Sequence, residues 1–268
     1  MFRNMASTFS KLAAIGIITA GMLAVEVNVV GASVPEQEST SSTQLSEPIQ
    51  GQVITKSEVD VTGDGRKDQV SLIGTKLDPS SPYYSKLSIV VSGEGQQQIV
   101  IPIEGGYNPQ LQFVDFTGDK LPEIYLSTET GGSGGYTNVY IYSLKNNIPV
   151  ALPIPAPLHI TAQFKPNYIV NMTIEETGKT FPINIKDKKD EYDKAGVYNK
   201  GKVVKPITVT VNTYSELKPV DIDQNGVYEL QGVQRITGLY NADTLANAYS
   251  LWKWQQDGWK LVTADIKK

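Results

Sequence analysis

The residues of this sequence best suited to chemistry lie in three short stretches where oxygen-bearing side chains occupy alternate positions. The first stretch, residues 60–68, reads DVTGDGRKD. It places side-chain oxygens at positions one, three, five and nine, and a glycine at position six. Ca²⁺ takes six to eight oxygen ligands, and alternate residues of a tight loop can face one centre. Glycine allows the positive φ that such a turn needs. The spacing therefore predicts a calcium-binding loop.

Two further stretches, residues 115–123 and 221–229, repeat this spacing. Position seven of each loop is predicted to offer only its backbone carbonyl. An EF-hand would place a bidentate Glu at position twelve, where this chain has Ser71, and a strand rather than a helix follows the loop. The predicted calcium ligands are Asp60, Thr62, Asp64, Arg66 and Asp68 in loop one, Asp115, Thr117, Asp119, Leu121 and Glu123 in loop two, and Asp221, Asp223, Asn225, Val227 and Glu229 in loop three.

The spacing of the loops indicates an internal repeat. Loops one and two start 55 residues apart, and loops two and three start 106 residues apart, which is twice about 53. A fourth copy is expected near Tyr168, where strand-forming residues are present but the carboxylates are absent. A period of this size is typical of solenoids and propellers. The chain is therefore predicted to contain four β units, three of them with a metal loop.

The pattern D-x-T-G-D-G-x-x-D, entered through Val-Asp and followed by a strand, resembles the FG-GAP/VCBS repeats of secreted bacterial proteins and integrin-type β-propellers. The resemblance covers residues 52–268. It implies antiparallel sheets and calcium as a structural ion, but no activity. Lys120 and Asn225 depart from the pattern, where Gly and Asp are expected. The predicted fold class is all-β, with four repeated antiparallel units that resemble the blades of a small or irregular β-propeller.

The N-terminal part of the sequence is typical of an exported protein. Arg3 and Lys11 precede an apolar run over residues 12–25, and small residues at 30–32 suit a cleavage site. We expect residues 1–32 to form a signal peptide with a helical core, and the Ser/Thr/Gln-rich residues 33–51 to form a disordered spacer. An uncleaved membrane anchor is the alternative. The predicted location is secreted or cell surface.

The composition excludes several classes of function. A net charge of −4 argues against a nucleic-acid partner. The chain has no Cys and a single His, which excludes disulfides, a thiolate nucleophile and a Cys-ligated zinc site. The expected partner is an extracellular protein or glycan. Membrane contact is expected only through the signal segment, if that segment is not cleaved.

Two features suggest catalysis or sugar binding, but each has a simpler interpretation. Residues 131–135 spell G-x-S-x-G around Ser133, yet a strand rather than a helix is predicted to follow, so a nucleophile elbow is not favoured. The single His159 lies in a Pro-rich segment. Trp252 and Trp254 share one face of a predicted strand, where they could stack on a sugar but more often pack in a core. No catalytic residue is assigned.

The sequence therefore predicts a secreted or cell-surface calcium-binding β-repeat protein that acts as a non-catalytic binding or structural module. The alternative is an extracellular hydrolase or carbohydrate-active enzyme on a propeller-like scaffold, because two catalytic carboxylates need only meet in space. A deep pocket with paired acids of perturbed pKa outside the three loops would favour the enzyme, and a bare surface with shallow loops would favour binding.

Overall fold

The computed structural model describes residues 51–268, and it is built almost entirely of antiparallel strands. The predicted signal peptide and all but the last residue of the predicted spacer lie outside the described residues. The strands of the first half are β1 (Gln52–Val59), β2 (Asp68–Thr75), β3 (Tyr83–Ser92), β4 (Ile99–Val114), β5 (Glu123–Glu129), β6 (Thr137–Ser143) and β7 (Val150–Ala151). The strands of the second half are β8 (Ile160–Lys165), β9 (Ile169–Ile174), β10 (Lys179–Asn184), β11 (Tyr198–Asn199), β12 (Lys202–Val203), β13 (Thr210–Val220), β14 (Glu229–Thr237), β15 (Thr244–Gln255) and β16 (Gly258–Lys267).

Strands β1 to β7 form one seven-stranded meander, sheet one, in which each strand pairs with its neighbours in sequence. Alternating apolar residues explain its first core. In β3 and β4 the side chains of Leu87, Ile89, Ile101 and Ile103 point to the same face and are buried. Residues on the other face of β5 and β6, such as Tyr125, join the second core, which sheet one shares with the rest of the chain.

The second half forms three smaller sheets around that second core. Strands β8–β10 form a three-stranded sheet, β11 and β12 pair with each other, and β13–β16 form a four-stranded meander, sheet four. Within residues 51–268, no helix is long and apolar enough to span a bilayer.

The prediction of an all-β fold with antiparallel sheets is confirmed, but the prediction of propeller blades is wrong. Strand β4 has 16 residues and runs straight through the expected boundary between units one and two. Because β4 pairs with both β3 and β5, these two units merge into one sheet. The described sheets have seven, three, two and four strands and do not close into a ring.

The charged run over residues 186–194 is helical. A 3₁₀ turn, Lys186–Lys188, leads into helix α1, Lys189–Lys194. Tyr192 is fully buried and donates a hydrogen bond of 2.6 Å to Asp243 Oδ2. The buried Tyr192, together with the ion pair between Lys188 and the buried Asp243, therefore fixes this charged segment.

Candidate functional site

Each acidic loop joins two adjacent antiparallel strands, and all three do so in the same register. Loop one joins β1 to β2, loop two joins β4 to β5, and loop three joins β13 to β14. In every case the acid at position nine is the first residue of the second strand and pairs with the Val that precedes the loop. These pairs are Val59 with Asp68, Val114 with Glu123, and Val220 with Glu229.

The aspartate at position one organises the turn by accepting hydrogen bonds from backbone N–H groups. Asp60 accepts from Gly63 N at 2.7 Å and from Gly65 N at 2.9 Å. Asp115 accepts from Gly118 and Lys120 at the same two positions, whereas Asp221 accepts from Asn225 at position five and Gly226 at position six. Asp and Asn are turn formers because they accept such bonds. The shared spacing therefore has a structural explanation that involves no metal.

The acid at position nine is buried in all three loops and closes the turn. Asp68, Glu123 and Glu229 are 1–3% exposed. Each accepts a hydrogen bond from the backbone N–H at position two, and for Glu123 this donor is Phe116 N at 2.8 Å. Burial raises the pKa of Glu123 to about 6, and the nearby carboxylates of Asp115 and Asp119 add to this.

A basic side chain of the protein lies against the carboxylates of every loop. Arg66 Nη2 lies 2.9 Å from Asp64 Oδ2, and Lys145 Nζ lies 2.8 Å from Asp119 Oδ2. In loop three the ammonium group of Lys253 lies 3.2 Å from Glu229 Oε1. Among residues 51–268, no three His, Cys, Asp or Glu side chains are grouped as a metal site. As arranged, the carboxylates hold loop N–H groups and basic side chains, and the calcium-ligand assignments stay predictions.

The three loops contact each other in a row. A Cβ on Gly63 of loop one would lie 3.3 Å from the Leu121 side chain of loop two, and a Cβ on Gly118 would lie 3.7 Å from Val227 of loop three. Position four of one loop thus contacts position seven of the next. Tyr228 N also donates to Asp115 O at 2.7 Å. The row therefore links sheet one to sheet four.

The candidate catalytic residues do not meet. Ser133 is exposed in the loop between β5 and β6, and its hydroxyl accepts a long hydrogen bond from Asn241 Nδ2 at 3.4 Å. The ring of His159 instead contacts Glu176 at 2.9 Å. The described residues therefore give Ser133 no histidine as general base.

The tryptophans pack rather than form an open platform. Trp252 is 8% exposed, and its indole N–H donates to Ser250 Oγ at 2.9 Å. Trp254 contacts Trp259 edge to face, with ring centroids 5.3 Å apart, and Trp259 contacts Phe116 of loop two in the same way. These rings thus join the β15–β16 hairpin to loop two.

A cleft that the sequence did not predict lies between sheet one and strand β13. We call it the amide cleft. It has a volume of about 420 Å³. One wall carries the amides Asn108, Gln110 and Gln112 at alternate positions of β4, and all three are exposed. The other residues of the lining are Tyr125, Ser127, Thr128, Glu129, Gly131, Gly132, Gly135, Tyr136, Thr137, Ser215, Glu216, Leu217 and Lys218. In the sequence, this cleft is indicated only by the alternating amides of β4, which belong to no known motif.

Two hydrogen bonds cross the cleft and fix its walls. Tyr125 donates through its hydroxyl to Leu217 O at 2.5 Å, and Thr137 Oγ1 donates to Ser215 O at 2.8 Å. Burial raises the pKa of Tyr125 to about 12, so this hydroxyl stays protonated at neutral pH. The cleft is therefore held open by groups that do not change charge under ordinary conditions.

Comparison with known proteins assigns the family. Residues 158–267 match the model of the YybI C-terminal domain. The chain is also 35% identical over 210 residues to the Uncharacterized protein YybI of Bacillus subtilis (strain 168), a match that covers 75% of this chain and 79% of that protein. The chain belongs to the YybI family. No solved structure matches it.

This result corrects the FG-GAP/VCBS resemblance. The family model that matches is that of the YybI C-terminal domain, and it covers β8–β16. The interpretation of the chain as FG-GAP or VCBS propeller repeats is therefore wrong. The loop pattern misled because the same Asp and Gly residues serve an ordinary hydrogen-bonded turn.

Proposed function

We propose that this YybI-family protein is a non-catalytic binding protein that works outside the cytoplasm. The observation that carries the proposal is the amide cleft, which has a suitable size and convergent polar side chains. Export is supported by the charge and apolar pattern of residues 1–32. The acidic loops contribute by linking the two sheets that form the walls of the cleft.

A binding role is favoured over catalysis by the chemistry of the cleft lining. The carboxylate of Glu216 is paired with Lys218 Nζ at 3.0 Å. Glu129 accepts a hydrogen bond from Asn108 Nδ2 at 3.0 Å and is exposed. A glycosidase general acid is usually held in a buried, apolar environment that raises its pKa. Neither Glu has such surroundings, so the cleft offers recognition rather than acid catalysis.

Export is tested by expressing the full chain in a Gram-positive host and sequencing the N-terminus of protein recovered outside the cells. We expect the recovered protein to begin after residue 32. Protein that stays in the cytoplasm and begins at Met1 would overturn the proposed location.

The absence of catalysis is tested with a fluorophosphonate probe. We expect no labelling of the wild-type protein, because Ser133 lacks a histidine base among its contacts. The matched variant is Ser133→Ala. Labelling of the wild type that disappears in this variant would show a serine hydrolase.

A further inference from the structure

We infer that the amide cleft binds a neutral glycan chain, which it recognises through the side-chain amides of β4. This inference rests on the proposed function, because it names the ligand class of the same cleft. Its basis is the charge of the lining, the register of the strands and the covered edge of β13.

The amides are presented together by the register of sheet one. Gln112 is directly opposite Tyr125, and Gln110 is directly opposite Ser127, so these side chains share one face. A β-bulge follows Tyr107, where Asn108 has a φ of 44°. Bulges re-aim side chains and are over-represented next to binding sites.

Two of the three amides are linked by hydrogen bonds, and the set retains free donors and acceptors for a ligand. Gln110 Nε2 donates to Asn108 Oδ1 at 3.0 Å, and Asn108 Nδ2 donates to Glu129 Oε1. Within residues 51–268, the amide group of Gln112 makes no hydrogen bond. An amide both donates and accepts, as a sugar hydroxyl or acetamido group also does. The wall is therefore matched to a ligand whose polar groups are neutral.

The charges of the lining exclude a polyanion and favour an uncharged ligand. The only basic residue of the lining is Lys218, and its ammonium group is already paired with Glu216. Phosphate recognition relies on Arg forks or helix N-termini, and the lining has neither. The remaining charge is the carboxylate of Glu129, which would repel an anionic ligand.

A peptide that added as a strand is disfavoured because the edge of β13 is covered. Strand β13 is the first strand of sheet four, so its outer edge has no strand partner in that sheet. The carbonyls of Ser215 and Leu217 on this edge accept hydrogen bonds from Thr137 and Tyr125. Strand addition relies on free backbone groups. Recognition here must therefore use side chains, as glycan binding does.

The experiment measures binding of four probes to the full-length protein by isothermal titration calorimetry. The probes are a tetramer of N-acetylglucosamine, a tetramer of glucose, a tetramer of galacturonate and an uncharged pentapeptide. The test variant is Gln110→Ala/Gln112→Ala. The matched control is Gln163→Ala, which removes an exposed strand glutamine from β8. Surface substitutions of this kind leave the fold largely unchanged.

We expect at least one neutral tetramer to bind the wild type and the Gln163→Ala control, and to bind the double variant at least tenfold more weakly. Binding of neither neutral tetramer, preference for galacturonate or the peptide, or equal affinity of the double variant would overturn the inference. Mass spectrometry of the recovered tetramer separates this inference from the proposed function. A shortened tetramer whose cleavage is lost in the double variant would overturn the non-catalytic function while retaining the cleft as a glycan site.

Discussion

Two buried carboxylates of this protein show how a neighbouring cation decides the behaviour of an acid. Asp243 follows the loop after β14, and its side chain is fully buried between sheet four and the segment that contains α1. Glu123 closes acidic loop two and is 2% exposed. Burial alone would raise the pKa of both acids.

The two acids differ in their partners. At Asp243, burial is outweighed by Lys188 Nζ at 2.6 Å, the Tyr192 hydroxyl at 2.6 Å and Leu239 N at 2.9 Å, so the pKa stays below its ordinary value. Glu123 accepts from Phe116 N but has no basic side chain in direct contact, and burial raises its pKa to about 6. Burial therefore opposes the charge of both acids, but at Asp243 the hydrogen bonds and the Lys188 ammonium group outweigh it.

The largest expected effect is the loss of Asp243. Asp243→Ala leaves the buried hydroxyl of Tyr192 and the ammonium group of Lys188 without their acceptor, which should lower the free energy of unfolding by about 3–5 kcal/mol. Asp243→Asn keeps an acceptor and should cost less. Urea unfolding at pH 7 measures both variants. The ionised Asp243 side chain stabilises the folded protein fully above the pKa that this group has in the unfolded chain. This stabilisation is lost as the pH falls through the lower pKa of the folded protein, so the Asn variant and the wild type should converge in acid. Equal stability of Asp243→Ala and the wild type at pH 7 would contradict this account.

The next effect concerns calcium, which stays a prediction from the loop spacing. A cation bound at loop two would place a positive charge beside Glu123, as the ammonium group of Lys188 does beside Asp243. Saturation of one site at 100 times its Kd would add about 2.7 kcal/mol. The measurement is the Tm of the full chain in chelator and in millimolar CaCl₂, with MgCl₂ as the control and Asp64→Ala as the loop-one variant. The prediction requires a higher Tm in calcium and a smaller rise in the variant. An unchanged Tm would assign the loops to hydrogen bonds and basic side chains alone.

A smaller effect is expected from Glu123→Gln, which removes the unfavourable charge but retains an acceptor for Phe116 N. The folded pKa is raised from 4.5 to about 6, so the ionised side chain destabilises the wild type above pH 6 and not below pH 4.5. The variant should be more stable than the wild type by about 2 kcal/mol at pH 8. The advantage should disappear at pH 4.5. Urea unfolding across this range measures it, and a variant less stable at pH 8 would show that Glu123 is stabilising when ionised.

The smallest effect compares position six of loops one and two. Gly65 has a φ of 83°, and a Cβ there would meet no atom within 4 Å, whereas Lys120 has a φ of 68°. Gly65→Ala should therefore lower stability by about 1 kcal/mol through backbone strain alone. Lys120→Gly should raise stability by about 0.5 kcal/mol, because relief of strain exceeds the added entropy of the unfolded chain. Thermal melts of both variants measure the pair, and changes of the same sign would contradict the explanation.

Local pattern predicted the all-β class and the positions of the turns well. The strand-forming residues expected near Tyr168 lie in β9, Ile169–Ile174. The division into blades failed because the pairing of β4 on both sides depends on contacts that a repeat count does not reveal.

The sequence by itself determined the geometry of the acidic loops, because their carboxylates accept hydrogen bonds from backbone N–H groups no more than seven residues away in the chain. Arg66 pairs with Asp64 within loop one, but only the tertiary structure decided which Lys side chains contact Asp119 and Asp243. Lys145 is 26 residues from Asp119, and Lys188 is 55 residues from Asp243. The amide cleft likewise joins β4 to β13, which are brought together by packing rather than by spacing. Contacts between residues far apart in the chain depend on how the sheets pack, so local spacing could not predict them.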